Sequence, residues 1–337
     1  MSPKPSTEHL VFSMPGNERQ AAALCRALHA KAGKAIVRHF PDGESVVMLQ
    51  EDVAGRDVIL VCTLDHPDAK VLPLLWLAAA ARENGSARMG LLAPYLPYMR
   101  QDKVFRAGEI VSARHFAALL SGHFDWLVTV DPHLHRIGCL SEIFSIPTVA
   151  IHAAPAIAQW IRNEIAAPLI IGPDEESRQW VEDIATRCEA TAVVLEKDRL
   201  SDTAVHIAVP TLPRAGDSTP VLVDDIVSTG HTMLEAARRL REHGYRPPVC
   251  ICVHALFAGT AYADLCAVAA DVVSCDTVEH PSNRIPLAAW LAAGVQAEAD
   301  GLRNDPARIQ CGSATAVEKT DRVNPCEGVT PLRNRFV

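Results

Sequence analysis

The densest chemistry in the chain lies in VLVDDIVSTGHTM, residues 221–233. An apolar, strand-like run ends in two adjacent carboxylates, Asp224 and Asp225. A small, hydroxyl-rich turn follows, with Ser228, Thr229, Gly230, His231 and Thr232, and helical periodicity then begins. Gly230 lets backbone N–H groups approach an anion closely, and a helix N-terminus adds partial positive charge at the same place. The pattern predicts a phosphate cradle. Acids just upstream can accept hydrogen bonds from sugar hydroxyls or hold a divalent cation, and without such a partner they would be costly there. The segment is not a GxxxxGK[ST] loop, and no GxGxxG follows a strand, so Walker-type and dinucleotide-binding readings lack their fingerprints.

Three other clusters carry candidate chemistry. His133 and His135 form an HxH pair at a predicted strand end, which suits zinc. A metal-hydrolase barrel built on that pair needs further His and Asp ligands at later strand ends, and it leaves residues 224–232 without a role. EKDRLSD (196–202) holds Lys197 and Arg199, and by itself reads as a solvated charge cluster between two strands. PDG at 41–43 by itself is a turn signal.

The whole-chain balance bounds the function. Of 337 residues, 49% are hydrophobic and 21% charged, an ordinary globular composition that excludes wholesale disorder. The formal net charge of -8 argues against a nucleic-acid or anionic-membrane surface, which needs a basic field. The longest apolar stretch, 71–81, contains Pro73 and falls short of the ~20 residues of a membrane span. MSPKPSTEHL lacks the apolar run of a secretory signal, so a soluble, cytoplasmic protein is expected. The ten cysteines sit mainly in apolar segments with no CxxC pair, and are expected to be reduced core residues.

The elements that position these residues alternate between strand and helix. Strands are predicted at 34–39, 57–64, 88–93, 126–130, 169–171, 191–195, 221–223, 248–253 and 272–274. Helices are predicted at 69–84, 111–121, 155–165, 175–188, 233–243, 261–266 and 286–293. Near-continuous Val/Ile/Leu strands in such a rhythm imply parallel sheets covered on both faces. Length and rhythm predict two units, with a break near 146–154. Beyond about residue 294 apolar periodicity ends, and residues 297–337 read as a flexible tail.

Segment 221–233 resembles the phosphoribosyl-diphosphate (PRPP) loop shared by type I phosphoribosyltransferases and PRPP synthetases. HFPDGE (39–44) resembles the synthetases' F-x-D-G-E motif, and YMRQDK (98–103) their R-Q-D segment. VDPH (130–133) resembles their D-L-H, GPD (172–174) the start of their P-D-H-G-G, and EHPSNRI (279–285) their H-P-S-N. Six motifs in order span residues 10–294. By that resemblance the chain is similar to ribose-phosphate diphosphokinases, an α/β family of two tandem type I phosphoribosyltransferase-like domains, each a mainly parallel sheet flanked by helices. The implied domains are 9–150 on the ATP side and 151–296 carrying the ribose 5-phosphate loop.

The resemblance implies transfer of the diphosphoryl group of ATP to the anomeric hydroxyl of ribose 5-phosphate, releasing AMP. It implies Mg2+ at His133 and Asp174, ribose hydroxyls on Asp224 and Asp225, and the 5-phosphate on residues 228–232. Lys197 and Arg199 match basic positions of the family's catalytic loop. Arg100, Gln101 and Asp102 are implied on the ATP side, where Arg can fork to phosphate and Gln offers donor and acceptor to adenine. Phe40, Asp42 and Glu44 resemble residues supplied to adenine by a neighbouring subunit, which implies a homo-oligomer with shared active sites. No nucleic-acid or membrane partner is implied.

Two departures stand out. Glu175, Glu176 and Ser177 replace the H-G-G that follows the family's aspartate, and these acids are expected to face solvent on the following helix. The common D-T-A-G-T loop reads Ser228–Thr229–Gly230–His231–Thr232 here, losing an acid and gaining a histidine. Such features resemble the shorter archaeal-type branch. Two related readings share the fold: a phosphoribosyltransferase that consumes PRPP, and a non-catalytic regulatory subunit. The adenine-side motifs favour synthesis over the first. Retention of Lys197, Arg199, His133, Asp174, Asp224 and Asp225 favours catalysis over the second.

Overall fold

Runs such as VILV (58–61) and LLA (91–93) offer no polar side chain to water, so both faces of any sheet they form must be covered. A computed structural model of the protein describes residues 9–134, 136–199, 205–208 and 218–301, without the side chains of 196–199 and 205–208. The chain order is β1 (Leu10–Ser13), α1 (Glu18–Leu28), β2 (Lys31–Ala32), β3 (Ala35–His39), β4 (Ser45–Leu49), β5 (Asp57–Val61), α2 (Pro67–Glu83), β6 (Arg88–Ala93), α3 (Ser112–Ser121), β7 (Trp126–Val130) and β8 (Thr148–Ile151). It continues with α4 (Ala154–Glu164), β9 (Pro168–Gly172), α5 (Arg178–Cys188), β10 (Thr191–Val194), β11 (Glu196–Arg199), β12 (Val205–Ala208), β13 (Thr219–Val227), α6 (His231–Glu242), β14 (Val249–Ala255), α7 (Ala261–Cys266), β15 (Asp271–Cys275), β16 (Asn283–Ile285) and α8 (Ala288–Ala299).

These strands build two six-stranded sheets, ordered β2-β1-β5-β6-β7-β8 and β10-β9-β13-β14-β15-β16. Every pairing within both sheets is parallel. One core runs between them, from Val11 and Trp126 through Ile157 and Leu291 to Ile251 and Val273. The outer face of the first sheet packs under α2 and α3, and that of the second under α6 and α7. The expected α/β class, two tandem parallel sheets under helices, is the observed one.

The differences lie at edges and ends. The expected strand at 34–39 is one arm of an antiparallel hairpin with β4, which the sequence reading missed along with β1, α1 and the edge strands β8 and β16. The hairpin turns Ala35, Val37, Val47 and Leu49 onto the outer core and leaves Met48 exposed. The final helix does not stop at 293 but runs to Ala299. Gly294 is no terminator there: a Cβ on it would lie 2.6 Å from Ile151 Cδ1, so glycine permits close packing of α8 on the first sheet. Glu298 of the same helix is buried against Arg88, 2.8 Å away. Residues 302–337, most of the expected tail, lie outside the described residues. Among the described residues, no helix is long and apolar enough to cross a membrane.

Candidate active site

Strand β13 carries its acids further than the apolar run alone suggests. It continues through Asp224 to Val227 because Asp224 pairs with Cys252 and Ile226 with His254 on β14. Successive side chains of a strand face opposite ways. Asp224 accordingly lines a cleft, while Asp225 turns to His133, whose Nδ1 lies 2.6 Å from its Oδ2. Burial, then Asp225 and Asp174, push the Asp224 carboxyl well above the usual carboxylate range. Burial also pushes Asp225 upward, but the His133 hydrogen bond and charge, with His254 nearby, bring it below that range. Two adjacent carboxylates are thus shifted in opposite directions by their different surroundings.

The turn after β13 opens α6. Gly230 is its N-cap, at a left-handed φ of 71° that glycine adopts without steric conflict, and a Cβ there would press on Ala261 at 3.3 Å. The cleft is about 310 Å³ and is walled by Asp224, the 226–233 segment and Arg100. Arg100 arrives from the other sheet, on the loop after β6. The structure therefore brings Asp224, Ser228, Thr229, Gly230, His231, Thr232 and Arg100 together.

The remaining implied residues surround this cleft or stand apart. Gln101 lies at the start of α3, its Oε1 accepting from Ser112 Oγ at 2.6 Å. Asp102 accepts from Arg136 instead of facing the cleft. Asp174 sits beyond β9 close enough to raise Asp224, and its carbonyl accepts from Ser177 Oγ at 2.6 Å. Glu175 is exposed and held by Arg178, with contacts of 2.6 and 2.7 Å that lower its pKa. Glu176 is also exposed, so the two acids of this departure face solvent. Phe40, Asp42 and Glu44 occupy the exposed turn of the β3–β4 hairpin, with the Arg38 guanidinium 5.1 Å from the Phe40 ring. Among the described residues, no hydrogen bond or ring contact joins that turn to Arg100, Gln101 or Asp102. The side chains of Lys197 and Arg199 lie outside the described residues, although their backbone forms an antiparallel ribbon with β12.

Several groups at the seam were not anticipated. His254, a lone histidine in the apolar run VCICVHA, is buried with Nδ1 2.9 Å from Thr277 Oγ1 and Nε2 3.3 Å from the Asp131 carbonyl. Burial holds its pKa below the usual histidine range, against the opposing charges of Asp225 and Asp131. Tyr95 packs edge-on to it, with ring centroids 5.0 Å apart. Asp131 has a left-handed φ of 32° and accepts from the Ala153 N–H at 2.8 Å, with His152 Nδ1 3.0 Å away. A polar residue interrupting an apolar strand was the available signal for His254. Asp131 stands in the VDPH segment, but its role as a hub depends on contacts with His152, Ala153 and His254.

For a cation, the donor types have the right character, since carboxylate oxygens suit a hard ion and Asp225 and Asp174 both raise Asp224. Among the described residues, however, no three His, Cys, Asp or Glu side chains are grouped closely enough to hold a metal ion. The Asp225 contact occupies Nδ1 of His133 and fixes the orientation of its ring. His135 lies outside the described residues. The open sheets differ from the closed barrel that the HxH hydrolase reading requires.

Known proteins resolve the choice among the remaining readings. Residues 9–123 match the family model for the N-terminal domain of ribose phosphate pyrophosphokinase, and 140–288 that for the phosphoribosyl transferase domain. A ribose-phosphate pyrophosphokinase of Methanopyrus kandleri is 34% identical, with the alignment covering 81% of this chain and 94% of that one. Its counterpart in Halobacterium salinarum is 32% identical over 84% and 99%. The crystal structure of phosphoribosylpyrophosphate synthetase from Mycobacterium smegmatis superposes with a TM-score of 0.76 at 22% identity, covering 87% of this chain and 99% of that one, which supports the fold. A phosphoribosyltransferase-type half joined to this particular N-terminal half, with full-length relatives above 30% identity, leads to one conclusion: the chain belongs to the ribose-phosphate pyrophosphokinase family.

Proposed function

We propose that the protein makes 5-phosphoribosyl 1-diphosphate, moving the β,γ-diphosphoryl group of ATP to the anomeric oxygen of ribose 5-phosphate. The bond between the α,β-bridging oxygen and the β-phosphorus breaks, a bond from the sugar oxygen to that phosphorus forms, AMP leaves, and the hydroxyl proton is released. The observation that carries this reading is the cleft in which the Asp224–Thr232 segment of one sheet faces Arg100 of the other.

In this reading the backbone N–H groups and hydroxyls of Ser228, Thr229, Gly230 and Thr232 hold the 5-phosphate at the α6 N-terminus, with His231 beside them. Asp224 accepts from the ribose hydroxyls; Asp225 orients His133 and completes the sugar side. Arg100 forks to ATP phosphate oxygens and Gln101 offers its amide N–H to the base. Lys197 and Arg199 are assigned to the charge that develops around the β-phosphorus. Bound Mg2+, held by His133 and Asp174, supplies charge neutralisation on the triphosphate. The hairpin turn with Phe40, Asp42 and Glu44 acts in a second copy of the chain, because it projects from its own subunit. The first sheet thus serves the nucleotide and the second the sugar phosphate, at domain limits of 9–150 and 151–296, in the cytoplasm.

The test is direct. Purified protein incubated with ATP, Mg2+ and ribose 5-phosphate should produce AMP and 5-phosphoribosyl 1-diphosphate in equal amounts. An assembled oligomer that makes neither would turn the assignment to a non-catalytic regulatory subunit.

A further inference from the structure

Asp102 poses a question that the nucleotide reading leaves open. Its side chain is only 2% exposed, yet it belongs to a surface loop. A carboxylate so enclosed requires a cation. Arg136 supplies it, with Nη1 donating to both carboxylate oxygens at 3.0 and 3.2 Å. The two residues come from different loops, one after β6 and one after β7. Phe105 packs beside Arg136, with the Arg136 guanidinium 5.9 Å and the Lys103 ammonium 5.1 Å from its ring. Arg100, which walls the cleft, is two residues before Asp102. His133, which bonds Asp225, is three residues before Arg136.

We infer that Arg136 is a positioning residue for the nucleotide: by locking Asp102 it fixes the Arg100 loop to the His133 loop, so that both present their groups to ATP as one unit. This inference rests on the assignment of residues 100–102 to the nucleotide side. The physical reason is the cost of misplacement. A loop freed at Asp102 lets Arg100 sample positions away from the cleft, and a displacement of about 1 Å lowers efficiency by up to about a hundredfold. Arg136 is itself 47% exposed and outside the cores, so truncating it removes the lock and little packing.

The experiment uses the full chain and reads ATP and ribose 5-phosphate affinities separately, by calorimetry with Mg2+ and by initial rates of AMP formation. Arg136→Ala should weaken ATP about tenfold, leave ribose 5-phosphate within about twofold, and melt close to the unmodified protein. Arg136→Lys, which keeps a cation near Asp102, should restore most of the loss. Asp102→Asn should weaken ATP in the same direction, and the double variant should be no worse than Arg136→Ala alone. Unchanged ATP affinity in Arg136→Ala, or equal losses for both substrates, overturns the inference. Should that variant unfold, Asp102→Asn decides: ATP weakened at an unchanged melting temperature upholds the lock, and unchanged affinity overturns it. Arg100→Ala separates the two assignments. If it weakens ATP while the Arg136 and Asp102 variants do not, only the lock fails; if it too leaves ATP unmoved, the nucleotide reading of the loop fails and the lock with it.

Discussion

The two sheets share one strand order, so the turn after β5 in the first is the counterpart of the turn after β13 in the second. Both lead into a helix through a left-handed N-cap, His66 at φ 52° and Gly230 at φ 71°. Their chemistry differs sharply. In the first, Thr63 Oγ1 accepts from Asn17 at 3.0 Å and lies 2.8 Å from the Thr277 carbonyl, and Lys70 lies 2.5 Å from Asp65. Proline at the helix start removes an N–H that an anion could use. In the second, the corresponding turn lines an open cleft opposite Arg100. One backbone topology thus occurs twice, and only the second copy leaves its turn lining an open cleft. The first copy has become a rivet: Thr63 holds Thr277 of the other half.

Four measurements would break or sharpen that contrast. The largest effect belongs to the second half's ribbon, where Lys197→Ala should lower turnover by about a hundredfold or more with little change in ATP affinity. A parallel loss in binding would place Lys197 in the ground-state complex instead. Next come matched substitutions in the two turns. Asp224→Asn should weaken ribose 5-phosphate by about tenfold, whereas Asp65→Asn should leave both substrate affinities alone; equal kinetic effects would erase the distinction between open and closed turns. Thr63→Val should lower unfolding stability by about 1–3 kcal/mol in urea titrations, because buried partners in both halves lose their hydrogen bonds, while KM values stay put.

The smallest effect concerns His152. Its hydrogen bond to Asp131 raises its pKa above the ordinary 6.5 against the opposing effect of burial. A raised histidine stabilises the fold fully below its unfolded value and loses that contribution as pH rises through the folded one. Relative to His152→Gln, the unmodified protein should therefore lose melting temperature as pH rises above the ordinary 6.5. A flat difference would mean that folding does not shift the His152 pKa.

How much was legible varied with the range of the interaction. Strands 88–93 and 126–130 and the short helix 261–266 appear at their expected limits, because local apolar patterning and caps decide them. Hairpin arm β4 escaped because its half-buried face only makes sense against the core beneath it. Strand β13 outran its apolar stretch because partner strand β14 continued the ladder. In the cleft, the residues of the loop after β13 were readable from spacing. Asp102 looked like a ligand group from its neighbours in sequence, and its enclosure by Arg136 belongs to a contact across 34 residues.

Composition and pattern sufficed to determine the α/β class, the glycine turn that opens α6 and the six motifs, since each depends on bonds and periodicities within a few residues. Only the folded chain decided that Arg100 would face Asp224, that adjacent acids would part to opposite sides of a strand, and that His254 would join Asp131 to Thr277. Those outcomes depend on the packing of one sheet against another through a shared core, and it is the His133 contact made there, against burial that raises both, that separates the two carboxylates.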